Sequence, residues 1–281
     1  MSGAAFQDKV CILTGAASGL GLALARQLAA AGAQLVLADI DAESLAAAAA
    51  QIAASGGKAK PAPIPVPTDV TDAEAMRRLI EDAAKEFGRI DYLFNNAGCA
   101  VIGEIRDLTL QHWRRVIEIN LFGEIHGIHY AYPIMIRQGF GHIVNVASGF
   151  GMAPGPLNTP YVASKFGVFG LSHALAAEAR DFGIAVSVVC PGYIDTPLVA
   201  TAQPLNADAA ALRAQIAVKL VPAEEAAKII LAGVLKRQRV IAFPGYVRLL
   251  AFLHRFLPGL FDLFSAKQIK DFRGIRKAPA D

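Results

Sequence analysis

Val10-Cys-Ile-Leu-Thr14 runs straight into Gly15-Ala-Ala-Ser-Gly19-Leu-Gly21, and Leu20 to Ala31 then reads as a helix stopped by Gly32. The short apolar run Val10–Leu13 predicts a buried strand. Leu35-Val-Leu-Ala38 predicts a second one ending at Asp39, after which Asp41 caps an alanine-rich helix reaching about Ser55. Strand, glycine turn, helix, strand and acidic residue, in that order, form the arrangement that seats a dinucleotide. Gly15, Gly19 and Gly21 allow the tight turn, close backbone approach to a pyrophosphate, and close packing of helix on strand. The first turn of that helix directs free N–H groups at phosphate oxygens. Asp39 is placed to accept hydrogen bonds from a ribose 2′-hydroxyl and to repel a 2′-phosphate. No Arg or Lys stands at 16–18 or at 40. The turn therefore predicts NAD rather than NADP as cofactor.

The rest of the chain repeats the alternation. Residues 58–68 carry four prolines where a third strand is expected, which predicts a short or edge-distorted one. Thr71 or Asp72 caps a helix to Phe87. Ile90–Phe94, His142–Ala147, Ala185–Cys190 and Val240–Phe243 supply further apolar strands. The apolar fraction is 54% and the charged fraction 18%, as expected of a sheet buried on both faces. The expected fold is α/β: a single doubly wound parallel sheet of about seven strands with helices on both faces.

A second constellation carries chemistry. In Tyr161-Val-Ala-Ser-Lys165 the tyrosine and lysine stand four apart on one helix face, so phenol and ammonium enter the same cleft. A free phenol has a pKa of about 10 and is a poor base at neutral pH. A cation beside it favours the phenolate. Ser148 adds a neutral donor for a carbonyl or hydroxyl oxygen. The three suit proton exchange with an alcohol oxygen while hydride leaves its carbon.

These residues resemble the short-chain dehydrogenase/reductase family over roughly residues 6 to 245. The family's T-G-x-x-x-G-x-G stands here as Thr14 to Gly21, its N-N-A-G as Asn95 to Gly98, its helix asparagine as Asn120, its S…Y-x-x-x-K set as Ser148, Tyr161 and Lys165, and its P-G as Pro191-Gly192. The resemblance implies a Rossmann fold and an alcohol dehydrogenase or ketoreductase, with Tyr161 as general acid or base. Lys165 would lower the Tyr161 pKa and hold the nicotinamide ribose, Ser148 would orient the substrate, and Asn120 would hold a helix kink and a water joining Lys165 to solvent. Asp69 and Val70 would hold the adenine, with a helix cap alone as the other use of Asp69. Asn96, Ala97 and Gly98 would line the ribose and nicotinamide, and Thr196 would reach the carboxamide. Ser18, Leu20, Pro191, Gly192 and Ile194 complete the cofactor-binding set. Family habit implies a homodimer or homotetramer. The rival readings are a 3-oxoacyl-thioester reductase, which calls for basic residues near the cleft, and a non-catalytic dinucleotide-binding protein.

The substrate side is apolar. The loop Tyr193–Val221 offers few groups for a charged ligand, and Phe150, Met152, Leu157, Tyr193 and Leu198 join Ser148 and Tyr161 as expected pocket walls. A lipophilic or aromatic secondary alcohol, or its ketone, fits them. Net charge is only +3 and no aromatic-studded basic patch stands out, which argues against nucleic acid. Cys11, Cys99 and Cys190 lack metal-ligand spacing and read as core residues of a reducing compartment. His126 and His129 read as a helix face, so no metal is expected. The first apolar run is too short for a signal peptide, so the expected location is cytoplasmic, with membrane contact as an option for the tail. We take residues 1–245 as the catalytic domain and 246–281 as an amphipathic helical extension. In it Arg248, Arg255 and Asp262 fall seven apart on one face. Val247, Leu250, Leu253, Leu257 and Phe261 fall on another, and the helix pair breaks at Pro258-Gly259. Residues 246–264 could serve as a lid, a dimer contact or an interfacial membrane anchor.

Overall fold

The computed structural model describes residues 5–55, 62–200 and 204–277. Its elements in chain order are β1 (Val10–Thr14), α1 (Gly19–Ala30), β2 (Gln34–Asp39), α2 (Ala42–Ala54), β3 (Ile64–Pro67), α3 (Ala73–Phe87), β4 (Tyr92–Asn95), α4 (Leu110–Ile117), α5 (Gly123–Gln138), β5 (Gly141–Val146), α6 (Thr159–Glu178) and β6 (Ile184–Pro191). After the short β7 (Ile194–Asp195) come α7 (Pro197–Ala200), α8 (Ala209–Ala214), β8 (Val221–Pro222), α9 (Ala223–Leu235), β9 (Val240–Phe243), α10 (Gly245–Phe256) and α11 (Pro258–Gly274).

Seven strands form one sheet in the order β3-β2-β1-β4-β5-β6-β9, with every neighbouring pair parallel. Successive side chains of a strand point to opposite faces. Accordingly Cys11 and Leu13 pack with α1 and α9, whereas Ile12 packs with α3 and α5. Both faces are thus buried, which is why the strands are mainly apolar. The order reverses between β1 and β4, and an open cleft lies at the carboxyl ends there. The proline segment forms the edge strand β3, pairing only with β2 among the described residues. Pro65 and Pro67, which lack a donor, are tolerated there. Residues 58–61 of that segment lie outside the described residues. Asp72, not Thr71, caps α3, accepting from Glu74 and Ala75 N–H.

The tail differs from its expected geometry. The helices are bent by 118° at Leu257, so Pro258 and Gly259 sit inside the first turn of α11 and not at a break. Proline suits that position because its missing N–H would be unpaired anyway. The bend takes Asp262 off the face carrying Arg248 and Arg255, so the expected three-charge face does not form. Val247, Phe261 and Phe272 are buried. Arg273 of α11 and Arg276 just beyond it bind Glu104, and Arg276 also binds Asp107, tying the end of the tail to the segment after β4.

Candidate functional site

The glycine turn is built by side chains from three strands. Thr14 Oγ1 accepts from the N–H groups of Asn96 (3.0 Å) and Ala97 (3.1 Å), and Asn96 Nδ2 donates to the carbonyls of Thr14 (2.9 Å) and Gly15 (3.1 Å). Asp39 Oδ2 accepts from Ala17 N–H at 3.0 Å, so the carboxylate ending β2 also holds the turn. Gly19 has φ +52°, a left-handed conformation that disfavours a side chain. Ser18 precedes α1 without a side-chain cap, leaving the first N–H groups of the helix open.

Chemistry converges from β5 and α6. Ser148, just past β5, accepts from Phe150 N–H through Oγ at 3.2 Å, which leaves its own O–H for a ligand. Lys165 is buried; its Nζ donates to Val146 O at 2.7 Å and lies 3.3 Å from Glu124 Oε1. That ammonium lies 5.9 Å from the centre of the Tyr161 ring. Phe150 stands edge-on to both Tyr161 and Tyr193, with ring centres 6.4 and 6.3 Å apart. Burial pushes the Tyr193 phenol up to about 12, with Tyr246 and Tyr161 adding to it, so Tyr193 stays neutral.

Asn120 is fully buried in the π-helical turn Glu118–Phe122 between α4 and α5. Its Oδ1 accepts from Cys99 N–H at 2.8 Å, and its Nδ2 donates to Cys99 O at 2.9 Å and to Ser164 Oγ at 3.2 Å. Ser164 in turn donates to Tyr161 O at 2.7 Å. Asn120 thus anchors the backbone of the tyrosine, through a serine that the motif reading left unassigned.

One cleft of about 810 Å³ gathers most of the expected residues. At the turn end it is lined by Gly15, Ser18, Gly19, Leu20, Gly21, Asp39, Asp69 and Val70, then by Asn96, Ala97 and Gly98. Ser148, Phe150, Leu157, Tyr161, Lys165, Pro191, Gly192, Tyr193, Ile194, Thr196 and Leu198 line the remainder. Asp69 makes a local turn with Thr71 and is not the cap of α3. Met152 is a correction: it is absent from the cleft wall and packs against the core group of Val168, Val188 and Val247. Met152 closes the 3₁₀ turn Gly149–Gly151, its N–H bonded to Gly149 O.

The structure adds walls from distant parts of the chain. Tyr246, Leu250, Phe261 and Phe264 of the tail line the cleft, as do Arg115, Arg213 and Lys267. The Tyr246 hydroxyl accepts from Tyr193 N–H at 3.0 Å. The expectation of few charged groups near the substrate is therefore corrected: Arg115 of α4, Arg213 of α8 and Lys267 of α11 border the cleft, with Lys267 paired to Asp271 on the same wall.

Comparison with known proteins agrees with this fold. The family model described as short chain dehydrogenase matches residues 9–206. A D-beta-hydroxybutyrate dehydrogenase of Rhizobium meliloti is 38% identical over 131 residues, 47% of this chain and 51% of that protein. The chain thus spans about half the length of that relative in the match. A cis-4-hydroxycyclohexanecarboxylate dehydrogenase of Sinomonas cyclohexanicum is 40% identical over 199 residues, 70% of this chain and 78% of its own length. Among solved structures, a short chain dehydrogenase/reductase from Burkholderia phymatum in complex with NAD superposes with a TM-score of 0.81 at 29% identity, covering 98% of each chain. The chain belongs to the short-chain dehydrogenase family.

Proposed function

We propose that the protein is an NAD-dependent dehydrogenase or ketoreductase of a secondary alcohol, or its ketone, on a lipophilic ring or chain. The observation that carries this reading is the meeting of Ser148, Tyr161 and Lys165 in the same cleft as the glycine turn. NAD fits the turn: an added Cβ at Gly19 would lie 3.2 Å from Thr196 Cβ, so a side chain there would narrow the strip that a pyrophosphate must enter. The open N–H groups of α1 face the same strip. When bound, the nicotinamide supplies the hydride acceptor or donor. Ser148 O–H holds the substrate oxygen, Tyr161 takes its proton during oxidation or returns it during reduction, and the Lys165 charge favours the phenolate. Phe150, Leu157 and the tail keep the apolar body of the substrate out of water. Screening hydrophobic secondary alcohols with NAD by absorbance of the reduced cofactor tests this; no turnover across the panel leaves the non-catalytic binding protein standing.

Arg115 and Arg213 favour one second reading, in which the apolar body ends in an anion, as in an acyl thioester with a phosphorylated arm. Both relatives named above act on hydroxy acids. Carboxylated and thioester substrates should then outperform neutral alcohols of equal size, and Arg115→Ala should erase the difference; equal kinetics would reject it.

Asp39 sets the expected cofactor preference. It faces the cleft beside Ser18 and Ile40, with no cation nearby in sequence to neutralise a 2′-phosphate. Repulsion of like charges at close range costs several kcal/mol. Asp39→Ala should narrow the NAD-over-NADP ratio of kcat/KM by roughly tenfold or more, each tenfold being about 1.4 kcal/mol. Because Asp39 also holds Ala17 and Asp41, overall affinity should fall as well, and the ratio isolates the charge. Equal use of both cofactors by the wild type would refute the assignment.

For the tail we infer contact with an anionic bilayer. Leu249, Phe252 and Phe256 form one exposed stripe of α10, and Leu260 and Leu263 are exposed on α11 beyond the bend. Arg248, Arg255 and Lys270 flank the stripe and are exposed. Apolar residues edged by cations fit an interfacial helix. No single described helix is long and apolar enough to cross a membrane. Truncation after Pro244 is a poor test, since it would remove the buried Val247 and Phe272. Phe256→Glu with Leu263→Glu should instead abolish co-sedimentation with phosphatidylglycerol vesicles. Failure of the wild type to sediment, together with a smaller oligomer for the variant, would show that a second copy covers the stripe. By family habit we further propose a homo-oligomer, to be counted by light scattering.

A further inference from the structure

Below Lys165 lies a carboxyl group that the chemistry described so far does not use. Glu124 stands in the first turn of α5, and its side chain is 2% exposed against 4% for Lys165. Its Oε1 lies 3.3 Å from Lys165 Nζ. Among the described residues, its Oε2 has no hydrogen-bond partner. The surroundings are polar but neutral. Asn95 Nδ2 donates to Asn145 Oδ1 at 2.9 Å, and Asn145 Nδ2 donates to Ser172 Oγ at 2.9 Å. Among the described residues, the charge acting on Glu124 is that of Lys165.

We propose that Glu124 is a positioning residue that competes with Tyr161 for the single positive charge of Lys165, and so sets the pH at which the phenol becomes a base. The proposal rests on Tyr161 being the acid–base group. Lys165 can balance one anion. With a proton on Glu124, the whole field of the ammonium falls on the Tyr161 phenol. Once that proton leaves, the carboxylate and ammonium neutralise one another and the phenol must ionise with little help. Two acids around one cation therefore titrate as a coupled system, in which neither midpoint belongs to one residue alone. Burial raises the Glu124 carboxyl, to about 8, against the pull of Lys165, which puts its titration where a dehydrogenase works.

The other titratable groups nearby do not compete. Cys190 on β6 is pushed up to about 12 by burial, and Cys99 is raised for the same reason. Arg115 acts on Cys99. His126, on α5 with Glu124, lies with Nδ1 2.9 Å from Val70 O. His173 on α6 packs on Phe169, and burial lowers its pKa, so it stays neutral.

The sign of the effect follows. Removing the carboxylate removes a negative charge that opposes phenolate, so the Tyr161 midpoint falls. Glu124 acts from behind the lysine, so the displacement is smaller than that caused by a charge in direct contact.

The test is an ultraviolet tyrosinate titration of the full chain without added cofactor, with Tyr161→Phe identifying the phenol that titrates first. In Glu124→Gln that phenol should ionise at lower pH and in a single step. The acid limb of kcat/KM for alcohol oxidation should move down by the same amount, while KM for NAD stays in place. An unmoved midpoint and limb, with Tyr161→Phe inactive, would overturn the role of Glu124 and leave Tyr161 as the base. Full activity in Tyr161→Phe would instead remove the underlying assignment, and this inference with it. If Glu124→Gln does not fold, wild-type protein with carboxyl-¹³C glutamate gives the same reading. A buried glutamate titrating jointly with the Tyr161 phenol supports the competition, and independent titration refutes it.

Discussion

Tyr161→Phe is expected to lower kcat by about 10²–10⁴-fold, the usual loss when a positioned acid–base group is deleted, with NAD affinity nearly unchanged. The ring keeps its edge contact with Phe150 and its place on α6, so only the hydroxyl is lost. No neighbour can replace it. Tyr193 stands on the other edge of Phe150, but burial pushes its phenol up to about 12. Burial also raises Tyr246, whose oxygen is engaged by Tyr193 N–H. Ser148 O–H is a donor without the acidity to take the proton role at neutral pH. Lys165→Ala should lose turnover and cofactor affinity together, because one ammonium faces both the phenol and the cleft. Steady-state kinetics and NAD binding by fluorescence separate the two variants. A Tyr161→Phe enzyme within tenfold of wild type would require a different base.

What the sequence made legible is local or repeated. β1, the glycine turn and α1 are contiguous, and β5, β6 and β9 are mainly apolar because both sheet faces are covered. The Ser148, Tyr161 and Lys165 set was readable because the lysine follows the tyrosine by one helical turn. Other features depend on what the fold brings together. Glu124 sits in Glu-Ile-His-Gly-Ile-His, which reads as a polar helix start; only the placement of α5 and α6 against β5 brings its carboxyl to Lys165. Arg115, Arg213 and Lys267 come from three separate helices, so no window of sequence shows them as a group. Met152 was misplaced because an apolar residue in a loop gives no sign of which side it faces. Periodicity also carried Arg248, Arg255 and Asp262 through a bend of 118° as though the helix were straight. Periodic readings fail wherever the axis turns.

Gly21→Ala is expected to be the most damaging single methyl added to the cofactor seat. A Cβ at Gly21 would lie 1.9 Å from Gly15 O, 2.8 Å from Gly15 C and 2.8 Å from Asn96 Nδ2. The obstacle is backbone, and that backbone is pinned. Asn96 binds the Gly15 carbonyl at 3.1 Å, Thr14 Oγ1 holds the N–H groups of Asn96 and Ala97, and Asp39 holds Ala17. The first turn of α1 must therefore tilt away from the turn, taking its open N–H groups off the pyrophosphate strip. Displacement by about 1 Å commonly costs on the order of 10²-fold where geometry is decisive, and NAD affinity should fall by that order. Overpacking should also destabilise the fold by about 1–3 kcal/mol. Gly139→Ala provides the control. Gly139 has φ +74°, but an added Cβ there meets nothing within 4 Å, so strain alone is introduced, far from the cleft. That variant should lose about 1–2 kcal/mol of stability and bind NAD as the wild type does. Isothermal calorimetry for NAD, beside thermal melts of both variants, distinguishes the two effects. Wild-type NAD affinity in Gly21→Ala would mean that the approach of α1 to the turn does not build the cofactor seat.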